Sequence, residues 1–195
     1  AIGLATLMQK ATSPGTVALV AAGLSDRAGS IADAAVDDWL DKARIILPTE
    51  NLIEAANFAE AFRNAFQDLE NAPPSRNSKR AERLVQLRQD AEESLRLAYE
   101  QGLEAEIFRQ IPLLCRAASP DQIANLESQA RALRRIELIG RRFGMDHGYD
   151  GAAKRILMAI GEAKQRLTPD GLTKLDLARM AEILLGPDMA LDVLD

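Results

Sequence analysis

The chain has 195 residues, 47% of them hydrophobic and 27% charged, with a net charge of −5. This is enough apolar content for a packed core and too ordinary a charge content for wholesale disorder, and the net charge argues against a dedicated nucleic-acid binder. The single cysteine, Cys115, excludes an internal disulfide framework and a cysteine-based zinc cage, and the single histidine, His147, excludes helical metal enzymes that need several.

Pro follows a hydroxyl residue at Ser13-Pro14, Ser119-Pro120 and Thr168-Pro169, each time ahead of a long stretch of helix-forming residues. The hydroxyl caps orphan amides and Pro occupies the first turn, where its missing N–H costs nothing. With 4% aromatic residues and no clear alternating run, the expected fold is all-α, an irregular bundle of about nine helices. A short α-solenoid is the alternative, although no fixed repeat appears.

The first helix is expected near Ile2–Ala11 and the second from Pro14 to Gly23. Lys10 is the only charge in this stretch, but Gln9, Thr12, Ser13, Pro14 and Gly15 interrupt it, which favours short buried helices over a membrane span. Ser30 is the expected cap of a third helix, with Ile31, Ala35, Trp39, Leu40 and Ala43 on its apolar side. Pro48-Thr49 opens a fourth, in which Phe58, Phe62 and Phe66 repeat every four residues as a core stripe. The Pro-rich run at 73–78 reads as a linker. It separates a small acidic unit, 1–72, from a larger bundle, 79–195.

Beyond the linker, Leu84, Leu87, Ala91, Leu95 and Ala98 align along one helix. A kink or break is expected around Pro112. Ser119 and Gln122 form a capping box for the next helix, Asp150 caps the one after, and Thr168 caps the last long one. That last helix is apolar on almost every side, so it is either central to the bundle or part of a contact between copies.

Chemistry is sparse. Asp37, Asp38 and Asp41 spell D-D-x-x-D, a spacing that holds magnesium in helical isoprenoid synthases, but no second acidic motif accompanies it. The turn 144–151 lacks the bidentate acid of a calcium loop, although Asp146, His147 and Asp150 stand close in sequence. Cys115 lies among apolar residues and reads as a buried thiol. No catalytic residue, metal ligand or cofactor is assigned.

Two surfaces remain. Arg131, Arg134, Arg135, Arg141 and Arg142 fall within an arc of roughly 120° on one helix, opposite Leu126, Leu133, Ile136, Gly140 and Phe143. At the C-terminal end Leu184, Leu185, Met189 and Leu191 offer apolar surface. Charge is also segregated: residues 76–167 carry 17 basic and 13 acidic side chains, and residues 168–195 carry 2 and 6. A positive middle and a negative tail are self-complementary within one molecule or between copies.

The expected function is therefore a non-enzymatic helical interaction module, such as an adaptor, assembly or regulatory subunit. It meets a protein partner or a second copy through the Arg face and the apolar C-terminal helix. Nucleic-acid binding through Arg131–Arg142 is the alternative, and a magnesium-dependent helical enzyme built on Asp37, Asp38 and Asp41 is a third. The expected location is cytoplasmic, with the periplasm open if Ala1 is a processed start.

Overall fold

A computed structural model describes residues 14–43, 45, 47–48, 51–70 and 79–194. The expected helix near Ile2–Ala11, Thr49 and the Pro-rich run at 73–78 lie outside these residues.

The described residues are helical, with no strand among them. In chain order the α-helices are α1 (Pro14–Leu24), α2 (Asp26–Lys42), α3 (Leu52–Glu70), α4 (Lys79–Gly102), α5 (Gln110–Leu114), α6 (Pro120–Arg142), α7 (Asp146–Lys164), α8 (Lys174–Leu185) and α9 (Pro187–Leu194). A π-helical turn, Leu103–Phe108, joins α4 to α5. Taking Lys79–Leu114 as one interrupted rod leaves eight helical rods among the described residues, which do not include the expected first helix. No described helix is long and apolar enough to cross a membrane.

Contacts divide the chain into two compact units, Ala1–Ile46 with Glu60–Glu93 and Leu47–Ala59 with Ser94–Asp195. The sequence division is drawn at the Pro-rich run, whereas these unit boundaries fall between Ile46 and Leu47, within α3 and within α4.

In the first unit α1 packs on α2. The core side of α2 is Ala32, Val36 and Leu40. The expected side, Ile31, Ala35 and Trp39, is only half-buried, so the helix is turned by about one residue. Ser25, not Ser30, is the N-cap: its Oγ accepts from the Ala28 N–H, while the Ser30 hydroxyl donates back to the Asp26 carbonyl. Phe62 and Phe66 are buried as expected, and their rings stack 6.1 Å apart. The third member of that stripe, Phe58, lies in the other unit and is exposed.

In the second unit α8 packs against α6, α7 and α9. Leu177, Ala178, Met180, Ala181 and Leu184 are buried there, which accounts for an apolar circumference that one contact face would not need. On α4 and beyond, Leu95, Tyr99, Leu103, Ile107 and Ile111 are all buried at a spacing of four residues. An α-helix drifts by about 40° over each such step. The π turn, closed by the Arg109 N–H donating to the Glu104 carbonyl at 3.2 Å, widens the helix and keeps this row facing the core. The break expected at Pro112 thus takes the form of a π turn just before it.

The segment 168–172 departs from expectation. Thr168 does not cap a helix. Its hydroxyl donates to the Cys115 and Arg116 carbonyls, at 3.1 and 2.7 Å, and the Leu172 N–H donates to the Leu114 carbonyl at 2.9 Å. These carbonyls are the orphan acceptors at the end of α5, and the segment exists to satisfy them. Gly171 allows the close approach, since a Cβ there would sit 2.1 Å from the Cys115 oxygen. The cap of α8 is instead Thr173, in a capping box with Asp176.

Candidate functional site

The Arg row is built on α6, whose start is locked by the capping box of Ser119 and Gln122. The apolar face is as expected: Leu126, Leu133, Ile136 and Phe143 are buried. Burying the first three contributes about 1.5–3 kcal/mol each and fixes which way the arginines point.

Those arginines are not equivalent. Glu137 is only 4% exposed, and two guanidinium groups close over it. Arg134 Nη1 lies 2.6 Å from Glu137 Oε2 and Arg141 Nε lies 2.8 Å from Glu137 Oε1. Arg141 also reaches Asp150 at 3.2 Å. Asp150, expected as a cap, sits inside α7 and serves as this ion-pair partner. Removing Glu137 would leave two cations facing a half-buried gap, so Arg134 and Arg141 belong to the fold before they belong to any partner. Arg131 pairs with Glu127 at 2.8 Å, a carboxylate shared with Arg179 of α8 at 3.0 Å. Arg135 donates to the Asn57 side chain at 2.9 Å. Arg142 is exposed.

Beneath Arg141 lies an aromatic pair. The Tyr99 and Tyr149 rings meet edge to face with centroids 4.8 Å apart, and the Arg141 guanidinium lies 5.6 Å from the Tyr149 centroid. Burial, then the nearby Glu137 carboxylate, pushes both phenols well above their ordinary range. Gly140 makes room for the Tyr149 hydroxyl, which would stand 2.0 Å from a Cβ at that position.

The C-terminal residues separate in the same way. Leu184 is 1% exposed and is withdrawn from the docking set, because it fills the core beneath α8. Leu185 and Met189 are half-buried. Leu191 is 66% and Leu194 43% exposed, while Val193 is the buried anchor that ties α9 down. Asp188 and Asp192 are exposed on the same helix. At 100° per residue, Leu194, Leu191, Asp188 and Asp192 share one solvent-facing side.

A third feature is not part of the sequence expectation. A groove of about 300 Å³ runs between α5 and α7. One wall is Phe108, Ile111 and Pro112, which the π turn presents. The other is a row from α7 and the residues just past it, Arg155, Met158, Ala159, Glu162, Ala163 and Arg166. The spacing of that row, i, i+3, i+4, i+7, i+8, i+11, is one helix face, and its two alanines make the hollow. Met158 is 67% exposed. Arg155 stacks over the Phe108 ring at 4.7 Å and reaches Glu104 at 3.3 Å, while Arg166 meets Glu162 at 3.8 Å. The row is legible in the sequence, but the facing wall depends on the π turn and is not.

The other expected sites resolve plainly. In the first unit, Arg80 lies 3.1 Å from Asp33 and 2.9 Å from Asp37, and Arg83 pairs with Asp41. Two members of the D-D-x-x-D segment thus face cations. Among the described residues no group of three metal-ligating side chains comes together. The side chains of Asp146 and His147 lie outside the described residues. Cys115 is fully buried, its thiol aimed at the Ala163 carbonyl at 3.8 Å, and burial raises its pKa, which disfavours the thiolate. No family model, curated protein or solved structure matches the chain.

Proposed function

We propose that the chain is a non-enzymatic helical interaction module that engages a protein partner through α9 and the accessible arginines of α6. The observation that carries this reading is the exposure of Leu191 and Leu194 on a helix fastened underneath by Val193. Two large apolar side chains on one solvent-facing side of a helix support a contact surface there. The arginine row supports it in reduced form. With Arg134 and Arg141 committed to Glu137, the contact set is Arg131, Arg135 and Arg142, joined by Leu185, Met189 and Leu191. Three accessible arginines, with the chain at a net charge of −5, suit a local acidic protein surface better than a run of phosphates, which favours the protein reading over nucleic acid.

The test compares capture of partners from native extract by the wild type, by Arg131→Glu/Arg135→Glu/Arg142→Glu, and by Leu191→Glu/Leu194→Glu. Each variant is expected to lose partners that the wild type retains. Retention of every partner by both variants overturns the proposal.

A further inference from the structure

The groove and the tail are complementary, and we propose that they bind one another between molecules, α9 of one copy entering the α5–α7 groove of a second copy. This rests on the reading of α9 as a contact surface and names its occupant.

The groove's walls are mainly apolar, with Arg155, Glu162 and Arg166 among them, and no α9 residue lines them within the chain. Within one molecule α9 packs on α8, leaving Leu191 and Leu194 to solvent. A cavity of about 150 Å³ accepts one benzene-sized group. A groove of about 300 Å³ therefore has room for two leucine side chains. Leu191 and Leu194 are three residues apart, the spacing at which a docked helix presents successive anchors. The exposed thioether of Met158 adapts its shape to such an anchor.

Charge favours the pairing. Arg155 and Arg166 stand eleven residues apart, about 16 Å along a helix axis, one at each end of the hollow. Their present partners, Glu104 and Glu162, are both more than half exposed, and such pairs contribute little. On α9, exposed Asp188 precedes the leucines and exposed Asp192 lies between them, and they supply replacement carboxylates of the opposite sign. The net positive middle and net negative tail of the chain meet in this contact. Since tail and groove are different surfaces, the contact is head to tail, and copies join into a ring or an open chain.

Two exposed positions provide the test without touching the core. Leu191→Glu spoils the tail, and Met158→Glu places a carboxylate in the groove opposite Asp188 and Asp192. Sedimentation of the wild type is expected to show mass rising above the monomer with concentration. Each variant alone is expected to stay monomeric where the wild type associates, its dissociation constant raised at least tenfold. Their equimolar mixture is expected to form a dimer and stop there, because one copy retains a working tail and the other a working groove. A monomeric wild type up to millimolar concentration, or a mixture that stays monomeric, overturns the pairing. Loss of association in Leu191→Glu but not in Met158→Glu overturns the groove assignment and leaves α9 as a contact surface. Unchanged association in both variants overturns the two together.

Discussion

Tyr149 shows how one side chain is held by its ring and not by its polar end. Its hydroxyl is buried against Gly140 without a hydrogen-bond partner among the described residues. A buried hydroxyl left unpaired costs about 1–3 kcal/mol. Tyr149→Phe is therefore expected to raise the free energy of unfolding by about 1 kcal/mol, read as a higher urea midpoint. Gly140→Ala is expected to lower it by roughly 2 kcal/mol through overpacking against the same ring. The two buried phenols also set an alkaline limit. Both ionise above the ordinary value of 10.0 in the folded chain, burial being the larger cause and Glu137 the next. Above pH 10 the unfolded chain loses phenolic protons that the folded chain keeps. Stability is then level below pH 10 and falls above it by about 1.4 kcal/mol per pH unit for each tyrosine. Tyr149→Phe halves that slope.

At the scale of elements, two hydroxyl-Pro pairs that look alike do opposite work. Ser119 accepts from the Gln122 N–H and begins α6, whereas Thr168 donates to two carbonyls that end α5. Acceptor and donor roles are separable by substitution. Ser119→Asp keeps an acceptor at the cap and is expected to change stability by less than about 0.5 kcal/mol. Thr168→Asp removes the donor and sets a carboxylate against carbonyl oxygens, and is expected to lower stability by roughly 2 kcal/mol in the same unfolding assay. The π turn belongs to this scale as well. It serves packing, by keeping Leu103, Ile107 and Ile111 in one row, and the same widening presents Phe108 and Pro112 as a groove wall.

For the molecule as a whole, charge segregation matters more than net charge. The basic middle spends much of its charge internally, on Glu137 and Glu127, whereas the groove arginines Arg155 and Arg166 sit in exposed pairs. Association through α9 is expected to weaken about threefold between low salt and 0.5 M salt, measured by sedimentation. Two exposed ion pairs at about 0.3 kcal/mol each, screened over a few ångströms, account for that change. No change with salt would leave the leucines, not the aspartates, as the whole of the contact.

The all-α class, the row Leu87, Ala91, Leu95 and Ala98 with Leu84 at its half-buried end, the capping box at Ser119 and the buried thiol of Cys115 are legible in the residues alone, because caps and apolar periodicity act within a few turns of one helix. The sequence also places five arginines on one face and apolar residues at the C-terminal end. Packing, by contrast, assigns Arg134 and Arg141 to Glu137, makes Leu184 core and Leu191 surface, and brings Thr168 to the carbonyls of a helix end some fifty residues earlier. Those outcomes depend on which groups distant in sequence meet in space, and burial and ion pairing are properties of that meeting.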